Sequence, residues 1–83
     1  MSETMAEQIR ARLAAAFSPS ELEVVDEGHL HRGHTGEGKG HFRVRIVSPA
    51  FAGVLPIKRH RMIYAVLDDL MNRGIHAMSI DAK

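Results

Sequence analysis

Apolar residues recur at intervals of four near the start of the chain, which predicts one face of an amphipathic helix. These residues are Met5, Ile9, Leu13 and Phe17. Thr4 and Glu7 have the spacing of a capping box, so we expect the helix to begin there. It should end at Ser18-Pro19, because a residue that precedes proline disfavours helical geometry.

Two segments with strand character follow this helix. Residues 22–25 predict a short strand, and the next strand shows alternation of apolar and polar positions. Its apolar residues are Phe42, Val44 and Ile46. Arg43 and Arg45 alternate with them, which predicts a half-buried strand with its cations facing outward. Residues 28–40, between the strands, hold five of the seven glycines and predict a loop that a ligand could remodel.

The second half of the chain predicts two helical segments and a final strand. Ser48-Pro49 is typical of an N-cap followed by the first helical position, which predicts one short turn over residues 49–51 that ends at Gly53. A long helix is expected to begin near Pro56 and to be capped by Gly74. Its predicted apolar face consists of Ile63, Leu67, Leu70 and Met71. Residues 75–80 are predicted to form the last strand.

Taken together, these elements predict an α+β fold. Their order is helix, strand, strand, short helix, helix, strand, which gives a three-stranded sheet with its helices on one face. The chain has 83 residues, enough for one small domain spanning 1–83. It contains neither an apolar run of about 18 residues nor a secretory signal, so we expect a cytoplasmic protein without membrane association.

Charge is divided unevenly along the chain. The formal net charge is +1. Residues 1–27 carry two cations and six anions, residues 28–61 seven cations and one anion, and residues 62–83 two cations and three anions. The small net charge therefore conceals a basic segment over residues 28–61. It also argues against a surface that is basic throughout.

The densest cations lie at the predicted start of the second long helix. They are Lys58, Arg59 and Arg61, with His60 among them. Cations oppose the helix dipole at this end, so the placement suits an anion such as phosphate or a partner's carboxylates. A solvated face that the fold tolerates is the alternative. His60 is expected on the core-facing side, partly buried.

The chain has six histidines and no cysteine. Without thiols, disulfide scaffolds, cysteine-type zinc fingers and thiol nucleophiles are excluded. His29, His31 and His34 in the predicted loop could bind Zn, Cu, Ni or Fe as neutral imidazoles, although their spacing matches no specific metal motif. A histidine-rich surface loop without a ligand remains the alternative.

Two further histidines lie at predicted strand starts. His41 is expected to be a hydrogen-bonding residue at a sheet edge. His76 alternates with Met78 and Ile80, so the pattern alone favours a structural histidine on an apolar strand face over a metal ligand.

The residues give little support for an enzyme. The glycine-rich segment 36–40 lacks the final Ser or Thr of a phosphate loop, and a strand follows it where such a loop needs a helix. Ser48 and Ser79 have no evident His–Asp partners, and no paired carboxylates lie in a predicted pocket. We therefore expect a protein without catalytic activity.

A set of motifs across nearly the whole chain strongly resembles the BolA family. The matching residues are His41-Phe42-Arg43-Val44, Val47-Ser48, Phe51, Gly53, Arg59-His60-Arg61, Tyr64 and Ile75-His76-Ala77. The resemblance implies an α-β-β-α-α-β fold like that of type II KH domains. This is the same order of elements that the apolar pattern predicts.

The resemblance also implies a function. BolA-like proteins are partners of monothiol glutaredoxins in iron–sulfur cluster assembly and trafficking and in iron homeostasis. The implied cofactor is a [2Fe–2S] cluster shared with glutaredoxin and glutathione, with none on the isolated chain, which should be a monomer or a weak homodimer. The family's ligands fall on His76 and, by alignment of Asp26-Glu27, on His31. His29 and His34 are close enough to substitute.

The resemblance implies an alternative as well, a DNA-binding transcriptional regulator that influences cell morphology and stress response. Its phosphate contacts would fall on the cations Lys58, Arg59, Arg61, Arg43 and Arg45. Residues 53–56 lack the second glycine of the GXXG loop that clamps a nucleic-acid backbone in KH domains. The same cations could equally assist protein docking, so both interpretations stand at this point.

Overall fold

The computed structural model describes residues 4–28 and 40–83. The elements are α1 (Met5–Phe17), β1 (Glu21–Asp26), β2 (His41–Val47), a 3₁₀ turn (Pro49–Phe51), α2 (Pro56–Val66), α3 (Asp68–Met71) and β3 (Ala77–Ala82). The predicted α+β class and order of elements are confirmed. The candidate ligands His29, His31 and His34 lie outside the described residues. No helix in the described ranges is long and apolar enough to cross a membrane.

The capping signals predicted for α1 are present. The Thr4 hydroxyl accepts a hydrogen bond from the Glu7 backbone N–H, and the Thr4 N–H donates to the Glu7 carboxylate at 2.9 Å. Ser18 ends the helix in the left-handed conformation at φ 43°. Three residues of the predicted stripe are buried in the core: Ile9, Leu13 and Phe17.

The three strands form one mixed sheet in the order β1-β2-β3. β1 runs antiparallel to the central strand β2, whereas β3 runs parallel to it. A parallel pair needs a crossover connection, which α2 and α3 supply on the apolar side of the sheet. The predicted alternation in β2 is confirmed, because Phe42, Val44 and Ile46 are buried while Arg43 and Arg45 are exposed.

A buried serine joins the short turn to the end of α1. The Ser48 hydroxyl donates to the Phe17 carbonyl oxygen at 2.6 Å and accepts from the Ala50 N–H at 3.1 Å. The rings of Phe17 and Phe51 lie 5.0 Å apart beside this link. Ser48 is therefore an N-cap, as predicted, and also a tie between two elements.

The second half of the chain departs from the sequence prediction in two places. The long helix ends at Val66, because Leu67 has φ −100° and ψ 9° and the short α3 follows it. Asn72, not Gly74, caps this helix; Gly74 instead lies against α1, where a Cβ would approach the Met5 Cε to 2.9 Å. The last strand starts at Ala77 and not at residue 75, because Ile75 is buried in the core before the strand begins.

Candidate functional site

Two histidines meet at one end of the sheet. His41 opens β2 and His76 immediately precedes β3, and the parallel register pairs His41 with Ala77. The two imidazole rings are stacked with centroids 5.7 Å apart and planes inclined by 25°. His41 is half-buried, whereas the side chain of His76 is exposed and can present a ring nitrogen to a ligand outside the sheet.

The backbone of Gly40 fixes the position of His76. The Gly40 carbonyl oxygen accepts hydrogen bonds from the N–H groups of His76 at 2.8 Å and Ala77 at 3.1 Å. Gly40 has φ +75°, and a Cβ there would approach the His76 nitrogen to 2.8 Å and would collide with the carbonyl oxygen of Gly74. Only glycine meets both conditions without strain, so this close approach depends on residue 40.

The described residues that flank segment 29–39, Gly28 and Gly40, lie at this same end of the sheet. On the β1 side, the Glu27 N–H donates to the His41 carbonyl oxygen at 2.8 Å, and the Gly28 N–H donates to the Asp26 carboxylate at 2.9 Å. On the β2 side the chain re-enters at Gly40, directly beside His76. Of the two residues that flank segment 29–39, Gly40 is therefore bonded directly to the backbone of His76, whereas Gly28 lies at the end of β1, across the central strand.

The structure corrects three expectations about histidines. His60 is exposed on α2, so its predicted partial burial is wrong; the core-facing position one turn on belongs to Ile63. His41 lies on the central strand, so its placement at a sheet edge is wrong as well. The predicted structural role of His76 on the apolar face fails because its side chain is exposed and lies before the strand.

Imidazole binds iron, zinc and copper when it is neutral, so an exposed histidine beside a histidine-bearing segment is suitable for a metal. The described residues contain no group of three His, Cys, Asp or Glu side chains that could hold an ion. The absence of cysteine also leaves the chain without a thiolate donor for a cluster. Within the described residues, His76 could therefore contribute one nitrogen ligand to a metal site.

The candidate phosphate-binding cations do not form one surface. Arg43 and Arg45 lie on the open face of the sheet, away from α2, and the Arg43 Nε is 3.7 Å from the Glu27 carboxylate. Arg45 is flanked across the register by Glu23 and Asp81. Both arginines of β2 therefore have acidic neighbours.

The three cations of α2 also differ in their surroundings. Arg59 is half-buried, and its Nη1 donates to the carbonyl oxygen of Ala82 at 2.9 Å, while its Nε is buried without a described partner. Lys58 and Arg61 are exposed and make no ion pair with the described residues. Of the five predicted contacts, these two are the ones most accessible to a partner.

Sequence patterns missed two features of this site. The stacking of His41 on His76 depends on parallel pairing between residues 35 positions apart, which local periodicity does not reveal. The role of Gly40 was hidden in a glycine-rich segment, where a single required glycine is not distinguishable by composition. His76 was singled out as a candidate ligand through the family motif and not through the apolar pattern, and its ligand role stays a prediction.

The fold and this arrangement together define a class of protein: a small α+β domain that presents an exposed imidazole at the end of a mixed three-stranded sheet. The family described as BolA-like protein matches residues 13–83. The DNA-binding transcriptional regulator BolA of Escherichia coli K12 is 42% identical over 74 residues, covering 89% of this chain and 70% of that protein. The chain belongs to the BolA-like family.

The chain is also similar to a second relative and to a solved structure. An uncharacterized protein in the cobS 5′ region of Sinorhizobium sp is 43% identical over 82 residues, covering 94% of this chain and 88% of that protein. The solved structure of BolA1 from Arabidopsis thaliana superposes with a TM-score of 0.87 at 36% identity, covering 100% of this chain and 94% of that one. The chain spans only 54% and 22% of two longer plant relatives that it also matches.

Proposed function

We propose that this protein is an adaptor that shares a [2Fe–2S] cluster with a monothiol glutaredoxin and glutathione in iron–sulfur cluster trafficking and iron homeostasis. The observation that carries the proposal is the exposed imidazole of His76, whose backbone is held by Gly40, the residue at which the chain returns from segment 29–39. His31 in that segment is the proposed second ligand, with His29 and His34 as substitutes. Thiolates from glutaredoxin and glutathione complete the donor set that this chain lacks.

Shared ligation has a chemical consequence that supports the proposal. Imidazole is neutral when bound whereas thiolate is anionic, and histidine ligation raises the potential of a [2Fe–2S] centre relative to all-thiolate ligation. A cluster held by both kinds of ligand therefore differs in colour and potential from one held by glutaredoxin alone. That difference is the signal to measure.

The test is anaerobic reconstitution of the chain with a monothiol glutaredoxin, iron, sulfide and glutathione, followed by visible absorption and circular dichroism. We expect the mixed-ligand spectrum with the wild-type chain and its loss with His76→Ala. His60→Ala is the matched control, since it removes another exposed imidazole, which lies on α2 and not at the end of the sheet. A His76→Ala spectrum identical to wild type would contradict the proposal.

DNA binding is the second candidate, favoured by the name of the 42%-identical Escherichia coli relative. Lys58 and Arg61 would be its principal phosphate contacts, because Arg59 and Arg43 already have partners. Affinity should then fall with salt at a slope of about −0.9 per neutralised phosphate. We expect Lys58→Gln to reduce that slope by about 1 in fluorescence anisotropy with a labelled duplex. A slope unchanged by this substitution would exclude Lys58 from the contact.

A further inference from the structure

The described residues expose three large hydrophobic side chains, and all three lie on α2 or directly before it. Leu55 is 72% exposed, Ile57 61% and Tyr64 38%. Ile57 and Tyr64 are seven residues apart, which is about two helical turns, so they share one face of α2. Exposed apolar side chains that cluster in this way mark an interaction surface more often than those scattered singly.

Exposed cations accompany these apolar side chains. Lys58 follows Ile57, and Arg61 lies between Ile57 and Tyr64 on the same face. The sequence has no acidic residue from 38 to 67, so nothing on α2 neutralises them. We call Leu55, Ile57, Lys58, Arg61 and Tyr64 the α2 surface.

The α2 surface is separate from the imidazole site. Arg59, on the adjoining face of α2, donates to Ala82 at the far end of β3, whereas His76 precedes the first residue of that strand. Six residues of strand span about 17 Å, at about 3.3 Å per residue. A small ligand bound at His76 therefore leaves the N-terminal part of this surface open.

We propose that the α2 surface docks an acidic amphipathic segment of a partner protein. The cations require a negative partner, and the apolar side chains require one that also brings apolar groups. Duplex DNA would satisfy Lys58 and Arg61 through its phosphates and would leave Leu55 and Ile57 against a polar backbone. Aspartate or glutamate interleaved with leucine-like side chains matches both requirements. This docking does not depend on cluster binding at His76.

The probe is a synthetic amphipathic peptide with leucine on one face and glutamate on the other, titrated into the nitrogen-15-labelled chain of 83 residues. We expect amide shifts over residues 55–64 and none at His41 or His76. The same peptide with glutamine in place of glutamate should bind at least tenfold more weakly. Equal affinity for both peptides, or shifts confined to other residues, would overturn the proposal.

Matched variants separate the apolar and charged contributions. Ile57→Ser and Lys58→Glu should each raise the Kd of the acidic peptide at least tenfold, while Arg10→Glu, an exposed charge reversal on α1, should leave it unchanged. All three sites are exposed, and circular dichroism verifies their folds. If Ile57→Ser leaves peptide binding intact, the apolar contact is absent and the proposal fails.

Three further arms distinguish other occupants. If the chain binds a DNA duplex but not the peptide, and duplex affinity depends on Lys58 but not on Ile57, the surface belongs to nucleic acid. Phosphatidylserine vesicles that bind through Ile57 while the peptide does not would assign it to a lipid surface. Concentration-dependent dimerisation abolished by Ile57→Ser would assign it to a second copy of the chain. Each of these results would overturn the proposal.

Discussion

Gly40 shows how one residue controls the geometry of the imidazole site. Gly40→Ala places a side chain at φ +75° and against the backbone of Gly74 and His76. We expect a left-handed cost of about 1–2 kcal/mol and an overpacking cost of about 1–3 kcal/mol. Urea unfolding measures their sum, and the His76 ring resonances should shift as the backbone moves.

Gly53 provides the control for that substitution. Its φ is +71°, but a Cβ there would meet no atom within 4 Å. Gly53→Ala should therefore cost only the left-handed term, about 1–2 kcal/mol, and should leave the His76 resonances in place. Equal losses of stability for the two variants would show that the contact at residue 40 is unimportant.

Arg59 is the second residue whose role the contacts define. Arg59→Met removes the hydrogen bond to Ala82 and also removes the buried Nε that lacks a described partner, so the two effects partly offset. We expect a loss of about 1 kcal/mol in the free energy of unfolding. Arg61→Met, on the exposed face, should change it by less than about 0.5 kcal/mol. A larger loss of stability for Arg61→Met than for Arg59→Met would contradict the structural role of Arg59.

Among the elements, the short turn after β2 gives the sharpest prediction. Ser48→Ala removes the N-cap of the 3₁₀ turn and leaves the buried Phe17 carbonyl oxygen without its hydroxyl donor. We expect a loss of about 1–2 kcal/mol in thermal or urea unfolding. Ser79→Ala, on the exposed face of β3, should cost less than about 0.5 kcal/mol. Similar losses of stability for the two variants would contradict a stabilising role for the hydrogen bond between Ser48 and Phe17.

Elements defined by local chemistry were predictable from the sequence. Thr4 and Glu7 cap α1 because the motif needs only neighbouring groups, and β2 alternates because one face is buried. The break at Leu67 was not predictable, since its buried side chain continues the helical apolar pattern on both sides. The exposure of His76 likewise depends on where Ile75 enters the core and on the distant Gly40.

At the scale of the whole molecule, one ion pair joins α1 to α3. Arg12 binds Asp69 with both guanidinium nitrogens, the second at 2.7 Å from Oδ2. These hydrogen bonds hold the pKa of Asp69 below its ordinary value. The unfolded chain then binds a proton at a higher pH than the folded one, so the contact's stabilisation is complete above about pH 3.9 and is lost as the pH falls through the lowered folded value.

Asp69→Asn tests this dependence. The wild type should be more stable than the variant at neutral pH, and the difference should shrink as the pH falls below about 3.9. Urea unfolding across the acid range measures it. Asp68→Asn removes an equal charge that makes no ion pair in the described part of the chain, so it is the control. If the wild type remained more stable than Asp69→Asn by the same amount at the lowest pH, the ionised pair would not be the source of that stability.

The parallel pairing of β2 with β3 also determines when the imidazole site can form during folding. Antiparallel β1 and β2 adjoin each other along the chain, but His76 reaches His41 only after the crossover through α2 and α3 has closed. Contacts of such high sequence separation form slowly, because the chain loses the entropy of loop closure before the contact can stabilise it. We therefore expect the histidine pair to form late in folding, so that a chain able to present it has already completed its sheet.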